Sequence, residues 1–156
     1  MEQTEKSLIH TQKSFVSSLK KQGKASATIL AYGKDIEQLT AFLAEQEITQ
    51  TTAIKPEHIE AFKKELGKKG YLSKSISRKL NSIKTFFRFL KERKIINEDP
   101  ATTVSHPKYE IAPPRILTKM EYRALRDAAR DDIRMAAIIE LLLQTGLRIG
   151  ELARLE

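Results

Sequence analysis

The spacing of apolar residues constrains this chain more than any other feature, because it is helical from one end to the other. Side chains such as Ile76, Leu80 and Ile83 recur every three or four residues, which places them on one face of an α-helix. No stretch shows the alternation of apolar residues between Gly-rich turns that is typical of β-strands. The sequence therefore predicts an all-α protein.

Four amphipathic helices joined by short links are predicted in the first two thirds of the chain. The first spans roughly residues 5–21, and Gly23 ends it. The second begins near Ser26, the third opens with Pro56 and the fourth follows Ser73. Proline is tolerated in a first turn because its missing N–H has no helical partner there. Such helices make a compact four-helix bundle.

A stretch with four prolines, "NEDPATTVSHPKYEIAPPRILT", interrupts the helical pattern and predicts an extended linker. Thr118 and Glu121 then form the capping box of a further helix. Another helix, from about Ile133 to Gln144, is apolar almost all round and predicts burial by more protein. Gly146 follows it as a left-handed C-cap. The expected domains are a bundle over 5–96, a linker over 97–115 and a second domain over 116–156.

The distribution of charge points to a polyanionic partner. Residues 1–96 carry 19 Lys/Arg and 10 Asp/Glu, whereas residues 97–156 carry 9 and 10, so the balances of +9 and −1 make up the net charge of +8. A basic module joined to a neutral one is typical of nucleic-acid binding. A lysine-rich solvated surface is the alternative.

Composition excludes several other classes of protein. There is no cysteine, which excludes disulfides and thiolate metal sites. The N-terminal residues have no signal-peptide pattern, and the longest apolar run is too short to cross a bilayer. The three histidines have no metal-ligand spacing, and no nucleotide-binding or hydrolase motif occurs. We therefore expect a soluble, cytoplasmic protein without metal or cofactor.

The outward face of the fourth helix carries side chains suited to a DNA groove. A helical projection places four polar residues opposite the core stripe, with two more flanking them: Arg78, Asn81, Thr85 and Arg88, then Ser77 and Lys84. Arginine can bind guanine edges or phosphates, asparagine can pair with adenine, and hydroxyls can bind phosphate oxygens. An ordinary solvated face is the alternative. The projection places Phe89 beside this polar face rather than in the core.

The second helix offers further candidate DNA contacts. Lys34 and Gln38 point outward, and Lys24, Ser26 and Thr28 cluster at its N-terminus. The free N–H groups and the dipole of a helix N-terminus favour phosphate. Ser26 as a simple N-cap is an equally good interpretation of that residue.

Four segments together resemble the tyrosine recombinase (phage integrase) family, of the arm-less Xer-like kind. They are "SATILAYGKDIEQLTAFL", "YLSKSISRKLNSIKTFFRFLKERKIINEDPA", "PRILTKMEYRAL" and "LLLQTGLRIGELARL", which occur in the family's order over nearly the whole chain. The resemblance implies a SAM-like, four-helix core-binding bundle that binds DNA. It also implies that the first helices of an incomplete catalytic domain follow this bundle.

The same resemblance assigns roles to individual residues. Arg148 matches the family's first catalytic arginine, which contacts the scissile phosphate, and Glu151 matches the acid that supports it. Serine is common in the family where Gly150 stands here. An arginine paired with Glu151 for structural reasons alone is the alternative. The family's remaining catalytic residues, including the nucleophilic tyrosine, belong downstream of Arg148, so we expect this chain to lack the nucleophile.

The resemblance implies the DNA-binding part of a site-specific recombinase, which joins DNA through a 3′-phosphotyrosyl intermediate in the full protein. Double-stranded DNA and other recombinase subunits are the implied partners, and no cofactor is needed. Two alternatives remain open at this point. One is a non-enzymatic helical module that binds DNA or regulates a recombinase, and the other is a helical protein-interaction bundle without nucleic acid.

Overall fold

The computed structural model describes residues 7–110 and 113–155, and the chain divides into two compact units, Met1–Glu110 and Ile111–Glu156. The helices found in the described residues are α1 (Leu8–Lys21), α2 (Ser26–Ala44), α3 (Pro56–Lys68), α4 (Ser73–Glu92), α5 (Lys119–Ala128), α6 (Ile133–Thr145) and α7 (Ile149–Leu152), with a short 3₁₀ turn at Thr51–Ala53. Apart from one isolated bridge between Ser7 and Gln50, these residues contain no β-structure. The all-α prediction is confirmed.

Most predicted helix ends coincide with those of the structure. Gly23 follows α1 with a φ of 67°, and Gly146 follows α6 with the same φ, which is the left-handed conformation that favours glycine. The Thr118 hydroxyl accepts from the Glu121 N–H at 3.2 Å, and Glu121 accepts from the Thr118 N–H at 2.9 Å, which confirms the capping box. The predicted start of the first helix near residue 5 lies outside the described residues.

Helix α4 lies at the centre of the first unit and packs against α1, α2 and α3. Its buried apolar side chains are Ile76, Leu80, Ile83, Phe86, Phe87, Phe89 and Leu90. The same core contains apolar side chains from the other three helices: Phe15 and Leu19 of α1, Ile36, Leu39 and Leu43 of α2, and Ile59, Phe62 and Leu66 of α3. Burial of these apolar side chains supplies the main driving force for folding the unit.

The expected position of Phe89 outside the core is wrong. Its side chain is buried, and its ring centroid lies 5.5 Å from that of Phe15. A projection of α4 alone assumes a single buried stripe. Because α1 packs on the same side of α4 as Phe89, the apolar region around α4 is wider than one stripe.

Part of the segment assigned to a linker over 97–115 packs on the first unit. Ala101 and Val104 are buried in its core, and the Asp99 carboxylate accepts from the Ala101 N–H at 2.8 Å. The division between the two units falls after Glu110. The proline content of the segment predicted a linker and did not predict the burial of Ala101 and Val104.

The second unit has little buried apolar surface of its own. Helix α6 packs against α5 and α7, and Ala129 is buried, whereas Ile133 is 87% exposed and Met135 and Leu141 are exposed too. The Asp132 carboxylate accepts from the Met135 N–H at 2.9 Å and caps α6. Across the described residues, no helix combines the length and apolar character needed to span a membrane.

Replacing Phe89 with alanine should lower the free energy of unfolding of the first unit by about 3–5 kcal/mol, because it leaves a cavity beside Phe15. The neighbouring Arg88→Ala change should alter it by less than about 0.5 kcal/mol, since Arg88 is exposed. Urea unfolding followed by circular dichroism measures both. Equal stabilities of the two variants would contradict the position of Phe89 in the core.

Candidate nucleic-acid interface

The side of α4 that is left uncovered in the first unit is polar. Arg78, Asn81 and Arg88 are exposed and Thr85 is half-buried. Their spacing of three, four and three residues aligns them along one face. The Thr85 hydroxyl donates to the Asn81 carbonyl at 2.8 Å, so its oxygen still has a free lone pair. We call these four residues the α4 stripe.

Residues from α2 and from the turn before it lie beside the α4 stripe. Lys24 and Thr28 line the same cleft as Thr85 and Arg88, with a volume of about 390 Å³. The cleft floor includes Phe15, Leu19 and Phe89. Glu92 lies at this cleft too, and is its acidic member. Two cations and two hydroxyls that are distant in sequence are thereby brought to one place.

Arg78 is held by a buried carboxylate that sequence reasoning missed. Asp35 of α2 is 2% exposed. The Asp35 carboxylate accepts from both terminal nitrogens of Arg78, at 2.8 and 2.9 Å, and from the Lys79 ammonium at 2.9 Å. The Ser82 hydroxyl donates to it at 2.5 Å. We call Asp35, Arg78, Lys79 and Ser82 the Asp35 cluster, which bears a net charge of +1 when Asp35 is ionised.

The ionised state of Asp35 is maintained by its partners. Burial acts to raise the pKa of the carboxyl, but the hydrogen bonds from Arg78, Ser82 and Lys79 outweigh it and hold the pKa below its ordinary value. The same pairing raises the pKa of Arg78. The stabilisation by Asp35 is therefore complete above the unfolded pKa of about 3.9 and is lost as the pH falls through the lower folded pKa.

The other predicted residues of α4 lie next to the segment after the bundle. Ser77 is buried and its hydroxyl lies 2.9 Å from Nδ1 of His106. The Lys63 ammonium donates to the Ser105 carbonyl at 3.0 Å. Lys84 lies close enough to His106 to act on it electrostatically. This corner of the first unit is therefore also basic.

Three predicted residues of α2 lie elsewhere in the first unit. Gln38 accepts from the Lys79 ammonium at 2.7 Å and donates to the Tyr71 hydroxyl at 3.4 Å, beside the Asp35 cluster. Ser26 and Lys34 line a different cleft, between α1 and α2. Ser26 is the first residue of α2, and the N-cap is Ala25, so the interpretation of Ser26 as the N-cap is wrong.

Arg148 lies at the N-cap of α7 in the second unit. Its guanidinium donates to Glu151 at 3.0 Å, and its backbone N–H donates to the other oxygen of the same carboxylate at 2.8 Å. The Arg148 side chain is 86% exposed. Glu151 thus fixes the backbone at this helix start and leaves most of the guanidinium open to solvent.

Sequence reasoning missed Asp35, Lys79, Ser82 and His106. A signal for Asp35 was present, because Tyr32, Asp35 and Leu39 fall on one helical face and an acid on a core stripe needs a partner. His106 had no comparable signal, since its contact with Ser77 joins residues 29 apart. Among the residues that the structure describes, no group of three His, Cys, Asp or Glu side chains could hold a metal ion.

Known proteins with similar sequences include tyrosine recombinases. The family model for the phage integrase N-terminal SAM-like domain matches residues 13–94. Tyrosine recombinase XerC of Roseiflexus castenholzii is 33% identical over 133 residues, covering 82% of this chain and 42% of that protein. Tyrosine recombinase XerC of Listeria monocytogenes is 31% identical over 131 residues, covering 81% and 44%. The chain thus spans less than half the length of these relatives.

A solved structure with the same fold is that of a lambda integrase dimer bound to a COC′ core site. It superimposes with a TM-score of 0.77 at 20% identity, over 96% of this chain and 42% of that chain. Identity this low supports the fold alone. Together with the family match, it confirms the predicted SAM-like helical fold.

The pKa of His106 should lie below the ordinary value of about 6.5. His106 is exposed as a whole, but its Nδ1 faces buried Ser77, and this partial burial, reinforced by Lys84 and Lys63, lowers the pKa. Because the fold disfavours the charged ring, the stability that neutral His106 supplies should be lost as the pH falls below 6.5 and through the lower folded pKa. An NMR titration of the ring protons measures the midpoint.

Lys84→Gln should raise the His106 midpoint, because it removes one neighbouring positive charge. Lys13→Gln, a change of the same charge on the exposed side of α1, should leave it in place. A midpoint at or above about 6.5 in the unaltered protein would contradict the described environment of His106.

Proposed function

Because this chain belongs to the phage integrase (tyrosine recombinase) family, we propose that it is the DNA-binding part of a site-specific recombinase that acts in the cytoplasm. In this proposal, residues 5–96 form the core-binding domain, 97–115 connect it to the next, and 116–156 begin the catalytic domain. Double-stranded DNA and other recombinase subunits are the partners. The main supporting observation is the α4 stripe, of which the packing of the first unit leaves Arg78, Asn81 and Arg88 exposed.

The side chains of the α4 stripe are better explained as a surface for a DNA groove than as an ordinary solvated face. Arg88 and Asn81 combine the side chains that bind guanine and adenine edges, and the Thr85 hydroxyl can turn from the Asn81 carbonyl to donate to a phosphate oxygen. Thr28 of α2 and Lys24, just before α2, extend the surface, so a single DNA backbone can contact both helices. The excess of nine positive charges in residues 1–96 supplies the long-range attraction.

Arg148 has a separate role in this proposal. We assign it to the scissile phosphate, where an arginine stabilises the charge that develops during strand transfer. Its exposure and its support from Glu151 are compatible with that role. In a protein as long as the relatives, further catalytic-domain residues would also cover the exposed apolar side chains of α6.

DNA affinity should depend steeply on salt if the first unit binds duplex DNA. With about four to six phosphates contacted, log K should fall against log salt with a slope of roughly −4 to −5. Lys24→Ala/Arg88→Ala should reduce the affinity by about tenfold or more and make the slope shallower. Fluorescence anisotropy with a labelled mixed-sequence duplex measures both quantities.

Lys68→Ala/Lys69→Ala is the matched control, because it removes the same charge from the exposed end of α3. This variant should lose much less affinity than Lys24→Ala/Arg88→Ala. Equal losses of affinity in the two variants would mean that the overall positive charge, and not the cleft beside α4, is responsible for binding. Absence of duplex binding at low salt would refute the proposed function.

This chain alone should form no covalent adduct with a nicked suicide duplex, since Arg148 can stabilise charge but cannot act as the nucleophile. The four tyrosines, Tyr32, Tyr71, Tyr109 and Tyr122, all precede Arg148, whereas the family's nucleophile follows it. A denaturing gel reads out any adduct. An adduct that any Tyr→Phe change at these four positions abolishes would contradict the assignment.

A further inference from the structure

We propose that Asp35 is a positioning residue for DNA binding: its buried carboxylate holds the Arg78 guanidinium on the α4 stripe in the orientation that meets the DNA. The inference rests on the proposed DNA-binding function and deepens it. Under this proposal an acidic residue promotes the binding of DNA, although its own negative charge repels phosphate.

The geometry of the Asp35 cluster restricts both side chains. Each carboxylate oxygen accepts two hydrogen bonds, Oδ1 from Arg78 and Lys79 and Oδ2 from Arg78 and Ser82. Four donors from one helix fix the plane of the carboxylate, and the carboxylate fixes the plane of the guanidinium. Arg78 therefore has a defined orientation in the DNA-free protein.

Exposure within the cluster shows which cation is available to a ligand. The side chain of Arg78 is 50% exposed, whereas those of Lys79 and Asp35 are 10% and 2% exposed. Lys79 is also occupied by Gln38. Arg78 has five N–H donors and gives two of them to Asp35, so three remain for a phosphate or a base edge. The net positive charge of the cluster is thus presented to solvent by Arg78.

Positioning has a physical benefit for binding. A free arginine on a helix surface samples many rotamers, and ordering it on a ligand reduces the affinity. A guanidinium that is already fixed by a carboxylate avoids most of that cost, and its planar fork makes the orientation matter. Removal of Asp35 should therefore weaken DNA binding even though the protein becomes more positive.

The test compares Asp35→Asn with Glu37→Gln by anisotropy on the same mixed-sequence duplex. Both changes remove one negative charge from α2, and Glu37 is exposed. Asp35→Asn should lower the affinity by about tenfold and make the salt slope shallower by about 0.9, the value for one phosphate contact. Glu37→Gln should leave the affinity unchanged or slightly raised.

A second variant guards against loss of folding in Asp35→Asn, where Lys79 keeps a charge without its partner. Asp35→Asn/Lys79→Met removes both buried charges and leaves the net charge of the protein unchanged. Circular dichroism checks that each variant is helical at the temperature of the assay. The double variant should show the same loss of affinity and of slope as Asp35→Asn.

The role of Arg78 as the intermediary is tested in a double-mutant cycle. Asp35→Asn introduced into Arg78→Ala should change the affinity by less than about twofold, because the residue that Asp35 positions is already gone. Full additivity of the two changes, or a double variant Asp35→Asn/Lys79→Met that binds like the unaltered protein, would overturn the positioning role. Either result would leave the proposed function intact, whereas no duplex binding by the unaltered protein would remove both.

Discussion

The packing of α4 in the middle of the first unit decides which of its side chains are available to a partner. Three other helices cover it, and the core around it includes a contact between the rings of Phe15 and Phe86 with centroids 5.3 Å apart. A helix that is buried on most sides has little freedom to turn. The residues on its one uncovered face therefore keep fixed spacing and direction, which a groove-binding surface requires.

The Asp35 cluster adds an electrostatic constraint to this apolar packing. A carboxylate that is 2% exposed would be costly without partners, and its donors all come from α4. The cluster thereby links α2 to α4 in one arrangement, since a rotation of either helix would leave a buried charge unpaired. Buried ion pairs contribute less to stability than their contacts imply, because desolvation offsets attraction. We expect the Asp35 cluster to contribute more to fixing the arrangement of α2 against α4 than to the free energy of unfolding.

Residue spacing was enough to predict the helices and the α4 stripe, because both depend on periodicity within one element. Capping signals such as Thr118 with Glu121 are equally local, so most predicted helix ends in the described residues agree with the structure. The position of Phe89 and the pairing of Asp35 with Arg78 depend on which helix lies beside which. The Ser77–His106 contact further requires the path of the segment after α4. These features are tertiary, and spacing within one helix does not determine them.

The uneven distribution of charge implies that the two parts of the chain contribute differently to DNA binding. Residues 1–96 hold the whole excess of positive charge, whereas residues 97–156 have a balance of −1 and supply no net electrostatic attraction for DNA. If the first unit binds duplex DNA as proposed, the covalent connection raises the local concentration of the second unit near that duplex to the order of millimolar. Arg148 then needs little affinity of its own for phosphate. An arginine that is held at a helix start by one carboxylate, and is otherwise exposed, suits a group that is delivered to its target by another domain.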